Sequence, residues 1–525
     1  MKALIILALF APPDSSMLAV SGASAMEELD ETQVEMYQHL ESHPVNINIS
    51  SRRQLTASGL FTPFQTASLM EYRARAGDIL SLAELAAVDG FGQSFVRAVA
   101  PYISLKTRAP AGESSLDDGI RAEASARIWT KTDDGAAALS YGGKMKIEAG
   151  TRLSAAVAFK RSYAPGISWP EVFNWSAALY GRRIPATLIL GDFNARFGQG
   201  LLSWSGFSLS GLSSISAFFK RPSGLSPSFS YTTTGMRGAA AELELGQFTL
   251  SAALAMPARK GKAATVFAGA SWYGLRAQAG LNAMRSTDGI YGLSADFRLN
   301  AGKTDVFGEA AWDTGTKRAG GLLGAVWNIE YDVKVAGRAL FQQDKASAAL
   351  GAQFRQSFAS VEGTLKKGVG TIKYLVSAPL SLGDNISLTL RLKGKLEKDK
   401  GAAGAFRATF DFARGEWKTR LLADLGAGSV YTGLIYVEPG YVSDRFSLYA
   451  RATLFASDSW DQRIYIYERD APGNFNMKAY YGRGWAASAV AGWKIKKQRV
   501  HLRASLTKST RETRLEFHGQ YSVEF

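Results

Sequence analysis

The sequence predicts a mainly β fold, a transmembrane antiparallel β-barrel of about 20–24 strands, an even number being expected, behind a small all-α domain. Three observations carry this prediction. From about residue 120 onward, segment after segment alternates apolar and polar residues with period two. The polar positions carry charge after charge, and the segments are too many for one sandwich. The last segment alternates aromatic and aliphatic residues with polar ones and ends on Phe525. Successive strand side chains point to opposite faces, so each segment has one greasy face and one wet face. In a soluble sandwich the greasy faces meet inside; in an outer-membrane barrel they face lipid and the wet faces line the lumen.

The N-terminus points to the envelope. Lys2 precedes a short apolar run, and Ala23-Ser24-Ala25 supplies a small-x-small cleavage pattern, which together predict a signal peptide over residues 1–25. Pro12, Pro13 and Asp14 interrupt the run, which is shorter than the roughly 20 residues that a membrane helix needs. The chain has no cysteine, which excludes disulfides, thiol catalysis and thiolate metal sites. Residues 26–43 follow as an acidic leader with six carboxylates (Glu27, Glu28, Asp30, Glu31, Glu35 and Glu41) and no Lys or Arg.

Residues 44–105 read as a helical module. An Asn46-Ile47-Asn48 entry leads to a short helix around Gln54, with Thr62 as N-cap and Pro63 as first residue of a helix through Met70-Glu71-Tyr72-Arg73. Gly77-Asp78, a Ser81–Leu85 helix, Gly90-Phe91-Gly92 and Pro101-Tyr102-Ile103 complete it. This order and spacing resembles the tandem helix-hairpin-helix domain of competence (ComEA-type) DNA-receptor proteins. The whole arrangement also looks like a family of envelope proteins in which such a domain precedes an outer-membrane barrel. The resemblance implies a periplasmic domain that grips duplex-DNA phosphates through Gly90, Phe91, Gly92, Gln93 and neighbouring N–H groups, with Arg97 in support. The alternative is a tight turn that packs two helices. The first hairpin, Leu60-Phe61-Thr62, lacks the glycines, and the module's five basic residues barely exceed its four acids.

Residues 106–119 are a linker and 120–525 the barrel. From Ile386 the even positions are apolar while Ser387, Thr389, Arg391, Lys393, Lys395 and Glu397 alternate with them. The same pattern returns through Phe406–Phe412, Phe446–Leu454 and Val500–Leu506, and in the final strand from Leu515 to Phe525. Turns are expected at Gly150-Thr151, at residues 382–385 and at Ala413-Arg414-Gly415. Trp129, Tyr141, Trp272, Tyr273, Trp312, Tyr480 and Tyr481 stand near segment ends, where interfacial aromatics are expected. Residues 191–235, rich in Ser, Gly and aromatics, form a long loop that either lies outside or folds into the lumen.

The chain carries a formal charge of +15, and its basic excess lies behind the acidic leader, in the barrel. Alternation places Arg391, Lys393, Lys395, Arg407, Lys418, Arg420, Arg445, Arg451, Arg499 and Arg503 toward the lumen. They either pair with acids such as Asp411, Asp424 and Glu516 or draw anions inward. No catalytic ordering stands out, so no enzyme activity, cofactor or metal is expected; His39 and His43, four apart, share only a helix face. Three functions fit. The first is DNA binding and uptake by an outer-membrane barrel with a periplasmic hairpin domain. The second is an assembly or scaffold component whose helices dock a periplasmic or outer-membrane protein. The third is an anion channel. Outer-membrane lipid is a partner in all three.

Overall fold

Backbone N–H and C=O groups cannot be left unpaired in hydrocarbon, so a sheet that crosses a membrane must close on itself. The computed structural model describes residues 13–23, 25–29, 31–107, 119–133, 135–150, 152–166, 168–181, 184–205, 211–228, 230–231, 235–256, 263–315, 318–330, 332–383, 385–398 and 401–525. Within them, 24 antiparallel strands form one closed ring, from Ile120–Asp133 to Thr513–Glu524. The last strand seals the ring against the first, pairing Glu524 with Glu123 through to Arg514 with Asp133. The fold is therefore the transmembrane barrel that the alternation predicts, at the upper end of the expected strand number.

The two faces of each strand follow the alternation. Leu281, Leu323, Phe341, Leu350 and Leu454 are exposed on the outer wall, while the chain neighbours Asn282, Ala349 and Thr453 are buried inward. A long apolar stretch of exposed side chains on a closed barrel is what contact with lipid requires, and this places the chain in an outer membrane. In the last strand Leu515, Phe517 and Tyr521 point out while His518 and Gln520 are buried inward.

Both ends of the barrel chain lie at one mouth, where the connections are short, such as Gly246-Gln247 and Gly302-Lys303. Gly150 and Gly415 turn there in the left-handed region, at φ +53° and +59°. Thr151 and Asp384 of the expected turns lie outside the described residues. The other mouth carries the two longest connections, residues 197–235 and 458–481, and the described residues of both fold into the ring. In the first, Phe218 is buried against the inner wall beside Phe307, Val326 and Phe358. Its short strand Gly224–Pro227 pairs with Phe193–Arg196, the inner end of a wall strand. In the second, Ile464–Glu468 and Asn476–Tyr480 make a hairpin whose Ile464, Ile466 and Tyr480 pack with Leu422, Leu434, Tyr436 and Phe455 of the wall. Of the two positions open to loop 191–235, the structure takes the lumenal one, and its first residues, Gly191–Arg196, continue a wall strand.

Three residues expected in the interfacial belts face inward instead. Trp129 is buried edge-on to Tyr231 and His518, Tyr480 is buried in the hairpin, and the Tyr273 ring lies beneath the Arg52 guanidinium at 5.1 Å. A lumen filled with protein has its own demand for aromatic packing, and a strand's alternation does not distinguish that from the membrane belt. Trp312, about half exposed, keeps the expected outward position. Leu323→Arg, mid-strand on the outer wall, is expected to cost about 2–4 kcal/mol of barrel stability. Guanidinium-unfolding midpoints in lipid vesicles check this, with Leu80→Arg outside the barrel as a near-neutral control.

Candidate functional site

The candidate site is the lumen and what fills it. The module's elements form as their local sequence dictates. Ser51 and Thr62 close capping boxes with Gln54 and Gln65, which start the helices Arg52–Ala57 and Pro63–Ala76. Gly77, at φ +88°, ends the second helix; Ser81 caps Leu82–Ala87, and Gly92–Val99 follows. Asn48 is fully buried and stitches the halves together. Its Nδ2 donates to the Ile79 carbonyl at 2.9 Å and the Leu105 carbonyl at 3.2 Å, and its Oδ1 accepts from Ile79 N–H at 2.9 Å. Val45-Asn46 and Ile103-Ser104 pair in parallel beside it. The module's core, including Val34, Leu55, Leu69, Leu85 and Val99, takes in Met17 and Val20 from the helix Pro13–Ser21. From the rest of the chain, only Tyr467 and Phe475 of the inner hairpin pack against it among the described residues.

The wall holds the module by charge. Arg407 donates to Glu27 at 3.0 Å and to Asp424 at 2.6 Å. Arg391 pairs with Glu28, and Lys144 with Glu35. Across the ring Arg53 pairs with Glu242 at 3.0 Å and donates to the Leu225 carbonyl of the long loop. Burial pushes the Glu27 carboxyl up, but Arg407, backbone N–H groups and Arg391 outweigh it and hold the group ionised. Because these partners sit on strands around the ring, the module is seated inside the barrel and not merely in front of it. Only its far end is open to solvent, around Arg75, Leu80, Asp89, Gln93 and Arg97.

The inner hairpin is fixed the same way. Arg503, 1% exposed, donates to Glu468 at 2.5 Å, and the Tyr480 hydroxyl donates to the same carboxylate. Burial pushes Glu468 up, yet Lys478, Arg503 and Arg451 hold it down at about 2. His518 pairs with Asp470 at 2.6 Å, and Arg127 donates to the Gly473 carbonyl at 2.9 Å.

Of the sequence-derived cations, Arg391, Arg407, Arg451 and Arg503 are buried and paired. Lys395 pairs with Glu397, Arg420 with Asp411, and Arg499 with Glu524. Lys393 shares the face of Arg391, and Lys418 that of Arg420. Arg445 departs from the expectation: it stands in the turn before Phe446–Ser457 and is exposed, because the strand begins one residue later. The paired network is therefore the state of most of these side chains.

The hairpin glycines have a packing reason. Gly90 and Gly92 lie at φ +85° and +65°, and the Gly90 carbonyl accepts from Gln65 Nε2 at 2.8 Å. A Cβ on Gly90 would stand 2.7 Å from the Phe64 ring. Phe91 is buried, its ring 5.8 Å from Phe61 and 5.9 Å from Phe95, while Gln93 and Arg97 are exposed. Sequence reasoning missed the acids that seat the module and the hairpin inside the ring. The available signal was an all-acidic leader ahead of a basic barrel.

No family model matches the chain, and no curated protein matches it. Among solved structures, the chain is similar to the translocation pore of the P pilus usher (PapC), at 9% identity and a TM-score of 0.40, covering 77% of this chain and 99% of that one. It is also similar to Pseudomonas aeruginosa OccK3 (OpdO), at 12% identity and a TM-score of 0.33, covering 78% and 96%, and to OccK7 (OpdD) of the same organism, at 10% and 0.33, covering 78% and 98%.

Gly90→Ala is expected to destabilise the module by about 1–3 kcal/mol, since it adds both a left-handed strain and a clash with Phe64. Hydrogen exchange of the full-length protein in detergent checks this, with faster exchange over residues 63–99 and unchanged wall strands. The Glu468 carboxylate, depressed from 4.5 to about 2, gives the inner hairpin stability that is complete above about pH 4.5. That stability falls away as pH drops towards 2. Protection from hydrogen exchange over residues 464–480, taken relative to the intrinsic rate at each pH, should therefore fall with acid between those limits, and Glu468→Gln should remove the pH step.

Proposed function

We propose that this chain is an outer-membrane pore closed at rest by its own N-terminal module, and that it opens when the module is drawn out of the mouth that holds the barrel's ends. The observation that carries this reading is the mismatch between the module's inside and its outside. Its apolar core is almost wholly its own, whereas ion pairs such as Glu27–Arg407 and Arg53–Glu242 join it to the wall. Drawing out such a body exchanges ion pairs for water, which offsets much of their loss, instead of exposing apolar area at about 25 cal/mol per Å². A fixed filling would share its core with the wall.

The same exchange gives the pore its selectivity. With Glu27, Glu28 and Glu35 gone, Arg407, Arg391 and Lys144 would face an open lumen, which would favour anionic solutes. The module's acidic segment thus occupies the place that a permeating anion would take. The open end of the module would face the periplasm, and a partner that draws it out would meet the exposed Leu80 there. Cleavage after Ala25 is part of this reading; it would remove the helix Pro13–Ser21, whose Met17 and Val20 pack in the module's core, and the mature chain would begin at Met26.

Duplex-DNA capture by Gly90, Phe91, Gly92, Gln93 and Arg97 is a second reading, favoured by the exposure of Gln93 and Arg97 at the open end. The near balance of charge on the module weighs against it. Salt-dependent binding of duplex DNA to the full-length protein, abolished in a Gly90→Val/Gly92→Val variant that keeps its β circular dichroism, would support it; no binding at low salt would remove it.

Planar-bilayer recording tests the pore reading. The full-length protein should be nearly silent, and a chain lacking residues 26–107 should give large, anion-preferring conductance steps. Glu27→Gln/Glu28→Gln/Glu35→Gln should open intermittently, more often at high salt. Silence of the truncated, folded barrel would mean that the inward loops seal the ring by themselves, and would overturn the reading.

A further inference from the structure

We propose that His39, His43 and Glu123 form a three-ligand site for a divalent transition-metal ion of the zinc class, two ligands from the module and one from the barrel wall. His39 lies in the last turn of the helix Glu31–Ser42, and the N–H of His43 donates to the His39 carbonyl at 2.8 Å. The two imidazoles therefore share a face, with ring centroids 4.7 Å apart and planes inclined by 20°. That face meets Glu123 of the wall strand Ile120–Asp133. His43 Nε2 lies 2.8 Å from one carboxylate oxygen and His39 Nδ1 4.0 Å from the other.

One donor atom from each residue falls within 4.8 Å of the others. Around a tetrahedral ion with bonds of about 2.0–2.2 Å, donors stand roughly 3.3–3.5 Å apart, so modest side-chain rotations close the set. Two imidazoles and a carboxylate suit zinc, cobalt or nickel and disfavour magnesium and calcium, which take oxygen ligands. Three protein ligands leave a fourth position for water. The side chains are 23%, 20% and 34% exposed, which leaves an ion a way in.

Lys146 sets the terms of binding. Its ammonium is 2.7 Å from His39 Nε2 and 2.6 Å from a Glu148 oxygen. An ammonium only donates, so it accompanies the His39 tautomer with the proton on Nδ1. A metal on Nδ1 requires that proton to be relocated to Nε2, which turns Lys146 away onto Glu148. Lys146 is thus a competitor of the metal, and its removal should strengthen binding.

A metal held this way ties the module to the wall. Bound only when the module is seated, at a hundred times its Kd it would favour the seated state about a hundredfold. That consequence rests on the pore reading; the site itself does not.

The test is a cobalt(II) titration of the full-length protein, made without a histidine tag, treated with chelator and held in detergent. The expected result is one cobalt per chain with visible ligand-field bands that zinc displaces. His39→Ala and His43→Ala should abolish the bands, Glu123→Gln should weaken binding about 10–100-fold, and Lys146→Gln should tighten it about tenfold. Binding that does not saturate at one equivalent, or bands that persist in the His39→Ala/His43→Ala variant, would overturn the site. Zinc should also quiet the openings of the Glu27→Gln/Glu28→Gln/Glu35→Gln chain. Stoichiometric cobalt binding with no such effect would leave the site standing and overturn the metal's hold on the module.

Discussion

Every backbone group of a membrane-crossing sheet must find its partner within the sheet, and closure at 24 strands satisfies that demand. Closure also creates a problem. Barrel diameter grows with strand number, and the wall's own side chains cannot fill a ring of this size. The rest of the architecture is an answer to that hollow. The helical module enters from the mouth with the short turns, and the loops 197–235 and 458–481 fold in from the other. Phe218 and Tyr480 give these loops apolar footholds on the inner wall, while the module has none there among the described residues.

Charge then decides where each filler sits. A lumen lined with Arg391, Arg407, Arg451 and Arg503 is unfavourable unless carboxylates approach, and desolvated cations demand hydrogen-bonded partners. Some of those carboxylates come from neighbouring strands, as Asp424 does for Arg407; others come from the fillers, as Glu27, Glu28 and Glu468 do. The inner hairpin combines both kinds of contact and is the more fixed of the two. The module meets the wall through ion pairs, a hydrogen bond to Ser42 and the Arg52–Tyr273 ring contact. It shares no apolar core with the wall among the described residues, which is the physical basis for proposing it as the moving part.

Much of this was legible in the chain. The alternation from Ile386 gave strand and face, and the number of such segments, their charged faces and the aromatic last strand gave the lipid side, because alternation by itself fits a soluble sandwich as well. Thr62 and Pro63 started a helix where capping chemistry requires it. Trp129 and Tyr480 were misplaced, because an aromatic at a strand end serves a membrane belt and a packed lumen equally well. Arg445 was lost to a one-residue difference in where a strand begins. Gly90 and Gly92 kept their left-handed backbones, yet the Phe64 ring and Gln65 amide account for them without a phosphate.

Local sequence therefore determined the elements: which segments are strands, which face meets lipid, where the helices start, and that a basic barrel follows an acidic leader. Each of these depends on neighbours a few residues away. Tertiary structure alone decided that the module occupies the lumen, that the two long loops fold inward, and that Glu123 meets His39 and His43. Those pairings join residues far apart in the chain, 35 positions for Glu468 with Arg503 and 440 for Glu27 with Tyr467. Ion pairs have no sequence period, so only the closed ring brings their partners within reach.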